Sequence, residues 1–60
     1  MQVLTDNIER VKGIVYRTVI ILYTDNTAYK RFYNLNGALE DSKPVKPGVI
    51  KRILRKQRGV

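Results

Sequence analysis

Side chains that could perform acid–base, nucleophilic or metal chemistry are scarce in this 60-residue chain. It contains no histidine and no cysteine, the residues that most often act as general base and as thiolate nucleophile near neutral pH. Five acidic residues remain, and most lie where helix caps or turns account for them. The one adjacent pair, Glu40 and Asp41, would point to opposite faces of a strand. The sequence therefore predicts a protein that is not an enzyme, with no metal site and no cofactor.

Basic residues are the chemically distinctive group, because they give the chain a net charge of +7. Residues 1–40 contain five basic and four acidic side chains, whereas residues 41–60 contain seven basic and one acidic. This asymmetry is typical of a surface that binds an anion such as nucleic acid, or less often a membrane surface. The plainer interpretation is a cationic face that keeps a small protein soluble. The seven basic residues are Lys43, Lys46, Lys51, Arg52, Arg55, Lys56 and Arg58.

The last five of these residues fall within a predicted amphipathic helix, residues 49–58, which Gly59 would end. Its apolar residues share one side, and its basic residues spread over the rest. Lys51 with Arg55 and Arg52 with Lys56 are pairs of like charge at a spacing of four, which destabilise an isolated helix slightly. If the protein binds an anion that neutralises these charges, their presence on one helix is explained. The apolar side consists of Val49, Ile50, Ile53 and Leu54.

A second candidate site combines aromatic and basic side chains. Tyr29, Arg31 and Tyr33 alternate along a predicted strand and so share one face. Tyrosines interleaved with arginine can stack on unpaired bases and contact phosphates. The structural interpretation is that these tyrosines pack against their neighbours and keep the hydroxyl at the rim.

The elements that must position these residues begin with a β-hairpin over residues 14–34. Two runs rich in β-branched and aromatic residues flank Thr24-Asp25-Asn26-Thr27, a sequence typical of a turn. If Asp25 and Asn26 are the two turn residues, Tyr23 pairs with Ala28, and a different turn length would shift the register by one and exchange the faces.

A second hairpin signal, Asn36-Gly37, predicts a third strand over residues 38–41. A single helical turn there is the alternative. The two prolines and the glycine of residues 42–48 then predict a connector, because they interrupt both ladder and helix hydrogen bonding.

The N-terminal residues allow two interpretations. Residues 1–5 read as a short strand. Asp6 as N-cap, Glu9 three positions later and Gly13 as a stop favour a short helix of about two turns. The alternative continues the strand through Val11 and turns at Lys12-Gly13.

The first strand of the hairpin is apolar on both faces, which is typical of a strand that is covered on both sides. One helix covers one face of a small sheet, so the other face would stay open in a monomer. The sequence therefore predicts a homodimer, or a docking site for another protein, on the face that carries Ile14, Tyr16, Ile20 and Leu22.

Taken together, these features predict one small α+β domain in which a three-stranded antiparallel meander, residues 13–41, precedes the connector and the basic helix. No apolar run approaches the roughly 20 residues that cross a bilayer, and the absence of cysteine fits a reducing, cytoplasmic setting. The predicted function is phosphate-backbone binding of RNA or DNA, between which the sequence does not distinguish. The alternative is a small regulator or inhibitor that binds a larger acidic protein.

Overall fold

The computed structural model describes residues 1–57, and the predicted roles of Arg58 and Gly59 lie outside these residues. Four strands form one antiparallel sheet in the order β1-β2-β3-β4, and a helix follows. The α+β class is confirmed, with four strands in place of the predicted three. Within residues 1–57 no helix is long and apolar enough to cross a membrane. The elements are β1 Gln2–Val11, β2 Ile14–Leu22, β3 Ala28–Tyr33, β4 Leu39–Pro44 and α1 Pro47–Gln57.

The additional strand is β1, because the predicted N-terminal helix is wrong and the alternative is confirmed. The chain stays extended to Val11 and turns at Lys12-Gly13, where both residues have positive φ (52° and 80°). Positive φ at both central residues is characteristic of the type I′ hairpin turn. A two-turn helix has little stability of its own, whereas the extended segment gains a ladder with β2 that is regular from Thr5 to Val11.

The β2–β3 register differs by one residue from the prediction. Leu22, not Tyr23, pairs with Ala28, because the loop contains three residues and not two. Tyr23 N donates to Thr27 O at 2.8 Å, and Asn26 closes the loop with a φ of 66°. A turn followed by one left-handed residue is the usual three-residue hairpin loop.

The same loop geometry recurs between β3 and β4. Asn34 N donates to Ala38 O and Gly37 N donates to Asn34 O, both at 2.9 Å, and Gly37 takes the left-handed position with a φ of 87°. The predicted third strand is confirmed, but it extends to Pro44. A register shift interrupts its pairing between Phe32 and Tyr33.

The helix starts two residues earlier than predicted, at Pro47. Lys46 O accepts from Val49 N at 3.0 Å and from Ile50 N at 3.2 Å, so Lys46 occupies the cap position. Proline suits the first helical position because its missing N–H would have no partner there. The predicted connector over residues 42–48 is therefore reduced to Val45 and Lys46.

The core lies between α1 and one face of the sheet. Ile50 is the buried residue of the helix, and it packs with Leu4, Ile20 and Ala28. Leu4 joins this cluster from a register shift in the β1–β2 ladder between Val3 and Thr5. We call this side of the sheet the helix face and the opposite side the far face. Leu22, Val45, Ile53 and Leu54 are partly buried against the same cluster.

Candidate functional site

The cations of α1 are positioned by the burial of its opposite side. With Ile50 facing the sheet, a rotation of about 100° per residue puts Lys51 and Arg55 on one flank of the helix and Arg52 and Lys56 on the other. All four side chains are exposed. The amphipathic pattern thus turns every cation of the helix away from the core.

Among the described residues, no salt bridge neutralises these charges. Within residues 1–57 the salt bridges are Arg17 with Asp6 and Lys30 with Glu9, and neither involves the helix. The helix has no acidic residue in its first turn and has two basic residues in its last turn. The last turn suits cations because the helix dipole is negative there. Within residues 1–57 the helix therefore presents positive charge that no salt bridge neutralises.

The two lysines that precede the helix differ in their surroundings. Lys46 is exposed at the helix cap. Lys43 lies on β4 with its Nζ 5.6 Å from the centre of the Phe32 ring, and Lys30 Nζ lies 5.4 Å from the same ring. Tyr16 meets Phe32 edge to face, with 5.8 Å between ring centroids. Since Phe32 belongs to the helix face, Lys43 and α1 present their charge on the same side of the sheet.

The predicted aromatic and basic cluster forms on the far face. Arg31 Nη2 donates to the Tyr23 hydroxyl at 2.7 Å, and Arg31 Nη1 donates to the Tyr33 hydroxyl at 3.3 Å. Interactions with the Tyr33 and Tyr23 hydroxyls raise the pKa of the Arg31 guanidinium above its usual value. Tyr23 and Tyr29 meet edge to face with centroids 5.9 Å apart. The prediction that Tyr29, Arg31 and Tyr33 share a face is therefore correct, and Tyr23 is an additional member.

The structure does not bring the two predicted groups of site residues together. Ala28 packs under the helix, so Tyr29 and Arg31 project from the opposite side of the sheet. A ligand that lies flat on α1 therefore does not face these residues. The two candidate sites predicted from the sequence therefore lie on opposite sides of the sheet.

The predicted partner face is not open at Ile20 and Leu22, and the one-residue difference in register is the reason. Ile20 is 8% exposed and Leu22 is partly buried, both under α1. Tyr16 packs on Phe32. Ile14 is 55% exposed but lies at the start of β2, beside the first turn. The placement of Ile20 and Leu22 on an uncovered face is therefore wrong.

Sequence reasoning also missed the contact of Lys30 and Lys43 with Phe32. Lys30 pairs with Lys43 across β3 and β4, and Phe32 is two residues further along the same face. The spacing of Lys30 and Phe32 was visible in the sequence, but the position of Lys43 depends on the bulged register of β4.

The acidic residues have structural partners. Hydrogen bonds from Arg17 lower the pKa of Asp6, those from Lys30 lower the pKa of Glu9, and those from Thr27 lower the pKa of Asp25. Within the part of the chain that the structure describes, no group of three potential ligands is arranged to hold a metal ion. These carboxylates therefore stabilise strands and turns.

Comparison with protein-family models, with curated proteins and with solved structures yields no match.

Proposed function

We propose that the protein binds nucleic acid through contacts between the exposed cations of α1 and the phosphate backbone. The observation that carries this proposal is the set of four exposed cations on one helix with no carboxylate partner within residues 1–57. Lys46 at the helix cap and Lys43 on β4 extend the same surface.

The helix supports this function because its like charges repeat every four residues, about 6 Å along the axis. Such pairs repel one another on an isolated helix and lower its stability. Phosphates placed along the helix would remove this repulsion and release condensed counterions. The fold keeps the repulsion tolerable by anchoring the helix through Ile50, Ile53 and Leu54.

Binding of this kind positions a nucleic acid without reading its sequence. Phosphate contacts carry no direct sequence information, and a convex basic helix with no groove-reading motif offers no set of base contacts. RNA and DNA of equal length should therefore bind with similar affinity. The affinity should fall steeply with salt, with a slope of about one per phosphate neutralised.

The test combines Lys51→Gln, Arg52→Gln, Arg55→Gln and Lys56→Gln in one variant. We expect the slope of log K against log salt concentration to fall by about three to four, as measured by gel shift or fluorescence anisotropy on mixed DNA and RNA. The four side chains are exposed, so the variant should fold. An unaltered slope and affinity would exclude the helix as the interface.

A matched control separates a local contact from the effect of net charge. Lys12 and Lys51 are both exposed lysines, but Lys12 lies in the turn between β1 and β2. Lys51→Gln should reduce the salt slope by about one. Lys12→Gln, with the same change in charge, should leave the slope unchanged.

The alternative function, binding of an acidic protein, would use the same cations. The two are distinguished by capture experiments with and without nuclease. A partner that is retained after nuclease digestion, and that is lost in the fourfold glutamine variant, would favour the protein-binding alternative. Loss of the bound material on digestion would favour nucleic acid.

A further inference from the structure

The two edge strands of the sheet differ in how well they are protected from pairing with another strand. β4 ends in Pro44, which has no N–H to donate, and its ladder with β3 is interrupted by a register shift. Prolines and bulges are the usual means of blocking an edge. β1 is the longest strand, with ten residues and no proline. The β1 edge is therefore the one suited to accept another strand.

The hairpin geometry determines which backbone groups of β1 point away from the sheet. Val11 and Ile14 close a two-residue turn and so form a hydrogen-bonded pair. Hydrogen-bonded and non-hydrogen-bonded pairs alternate along an antiparallel ladder, so Asp6, Ile8 and Arg10 direct their N–H and C=O outward.

The second hairpin supports the same assignment independently. Tyr23 bonds to Thr27 across the β2–β3 loop, so the odd-numbered residues of β2 bond to β3 and the even-numbered residues bond to β1. Even-numbered residues of β2 pair with odd-numbered residues of β1, such as Thr18 with Asn7. The even-numbered residues of β1 from Asp6 onward therefore have outward-facing backbone groups.

The first residues of β1 are less accessible as an edge. The Gln57 side chain donates to Leu4 O, and the register shift between Val3 and Thr5 distorts the strand there. The regular, unprotected part of the edge is therefore the segment from Asp6 to Arg10.

We propose that this segment pairs antiparallel with the same segment of a second copy of the chain, with Ile8 opposite Ile8. Asp6 of each copy then lies opposite Arg10 of the other, so opposite charges flank a central apolar contact. At these three residue pairs the outward N–H and C=O groups of one copy face those of the other. This arrangement permits about six interchain hydrogen bonds.

Alternative registers of the same edge are less favourable. A pairing centred on Asp6, Glu9 or Arg10 would bring that residue opposite its own copy, and like charges directly opposite are destabilising. A pairing centred on Asn7 would bring Asp6 opposite Ile8 and leave the charges uncompensated. The register centred on Ile8 alone combines charge complementarity with a match of apolar side chains.

The side chains concerned are available for this contact. Ile8 is 64% exposed, and Arg10 is exposed. Asp6 accepts from Arg17 Nε at 2.8 Å and from Nη2 at 2.5 Å, which leaves lone pairs for a second guanidinium. Asp6, Ile8 and Arg10 all project on the far face, since they pair with Val19, Arg17 and Val15 of β2.

The resulting assembly would join two four-stranded sheets into one. The symmetry axis of an antiparallel edge pairing is perpendicular to the sheet, so both copies of α1 lie on the same side. The pairing thus requires no uncovered apolar face, and it is independent of nucleic-acid binding.

The first test is the mass in solution, measured by sedimentation over a range of protein concentrations. We expect a concentration-dependent dimer for the natural sequence. Ile8→Lys, which brings two charges together at the axis, and Arg10→Glu, which faces Asp6, should both give monomers. Lys12→Glu makes the same charge change as Arg10→Glu but in the adjacent turn, and Ser42→Lys alters the β4 edge. Both variants should remain dimeric.

The second test determines the register by disulfide trapping, which is simple because the chain has no cysteine. Single cysteines at positions 6 to 10 are oxidised, and the rate of covalent dimer formation is compared. Ile8→Cys should crosslink fastest, because it alone lies directly opposite its own copy.

A monomeric mass for the natural sequence at millimolar concentration would overturn the proposal. So would a dimer that persists in Ile8→Lys while circular dichroism shows a folded sheet. Fastest crosslinking at any position other than 8 would refute the register.

Discussion

The two faces of the sheet bury apolar side chains to the same extent by different means. Ile20, on the helix face, is 8% exposed, while Val19 and Ile21, on the far face, are 8% and 6% exposed. A helix covers Ile20, whereas no helix or strand of residues 1–57 covers the other two. Burial on both sides of a strand therefore does not require a second layer of secondary structure.

Long polar side chains take the place of that layer. Arg31 lies opposite Val19, and Tyr29 lies opposite Ile21. The hydrogen bond from Arg31 to the Tyr23 hydroxyl spans the segment of sheet between them, so the two side chains extend along the surface above Ile21. Arginine and tyrosine can cover apolar atoms with their stems and rings while the polar ends stay hydrated. This arrangement explains why the two-sided apolar pattern of β2 did not by itself identify an interface.

The largest expected effect on stability distinguishes the helix face, which is packed against α1, from the far face, which is covered by flexible side chains. Ile20→Ala should lower the free energy of unfolding by about 3 kcal/mol, because the helix and sheet cannot close on the cavity. Ile21→Ala, at equal burial, should cost about 1.5 to 2 kcal/mol, because tyrosine and arginine side chains can move into the space. Urea denaturation of both variants measures the difference. Equal losses would show that the far face is as rigidly packed as the core.

An intermediate effect on stability tests whether the long polar side chains that cover the far face are ordered. Tyr23→Phe removes the hydroxyl that accepts from Arg31 at 2.7 Å and should cost about 1 kcal/mol. Tyr33→Phe is the matched control, since its hydroxyl is 3.3 Å from the guanidinium and its loss should cost less. Thermal unfolding of the two variants provides the comparison. A larger loss for Tyr33→Phe would contradict the assigned geometry.

The sequence predicts the helix and its exposed cations well because both depend on local information. An apolar stripe at helical spacing fixes which side is buried, and the rotation per residue then fixes where Lys51 and Arg55 lie. Even the start of the helix at Pro47 follows from a local rule, although proline can equally indicate a break. Whether those cations bind nucleic acid is a separate question that only the binding experiments answer.

The register of the sheet was less predictable, because it depends on one residue in a loop. Asn26 accepts a left-handed conformation, and either a two-residue or a three-residue loop can contain it. The choice exchanges the faces of the paired strands, which is why Ile20 and Leu22 were assigned to the wrong side. The extended conformation of β1 was also not predictable from the local sequence, because it depends on pairing with β2 and not on helix propensity.

The smallest expected effect concerns one ion pair on each face. Glu9 Oε2 lies 2.8 Å from Lys30 Nζ on the helix face, and Asp6 is paired with Arg17 on the far face. Hydrogen bonds from these cations lower the pKa of each carboxyl group in the folded protein. A carboxyl group whose pKa is lowered by folding contributes stability above its unfolded pKa and loses it as the pH falls through the folded pKa.

Stability should therefore decrease as the pH falls from about 5 through the lowered pKa values, and removal of either cation should flatten this decrease. Lys30→Gln tests the pair on the helix face, and its effect should stay within about 1 kcal/mol because both side chains are partly exposed. Arg17→Gln tests the pair on the far face, where the side chains are more exposed, and should flatten the profile less. Urea denaturation at several pH values measures both.

A steeper loss of stability at low pH in Lys30→Gln than in the natural sequence would contradict the direction of the pKa shift, because it would mean that Lys30 raises the pKa of Glu9. A larger effect in Arg17→Gln would instead show that the polar cover of the far face holds its charges more firmly than the packed side does.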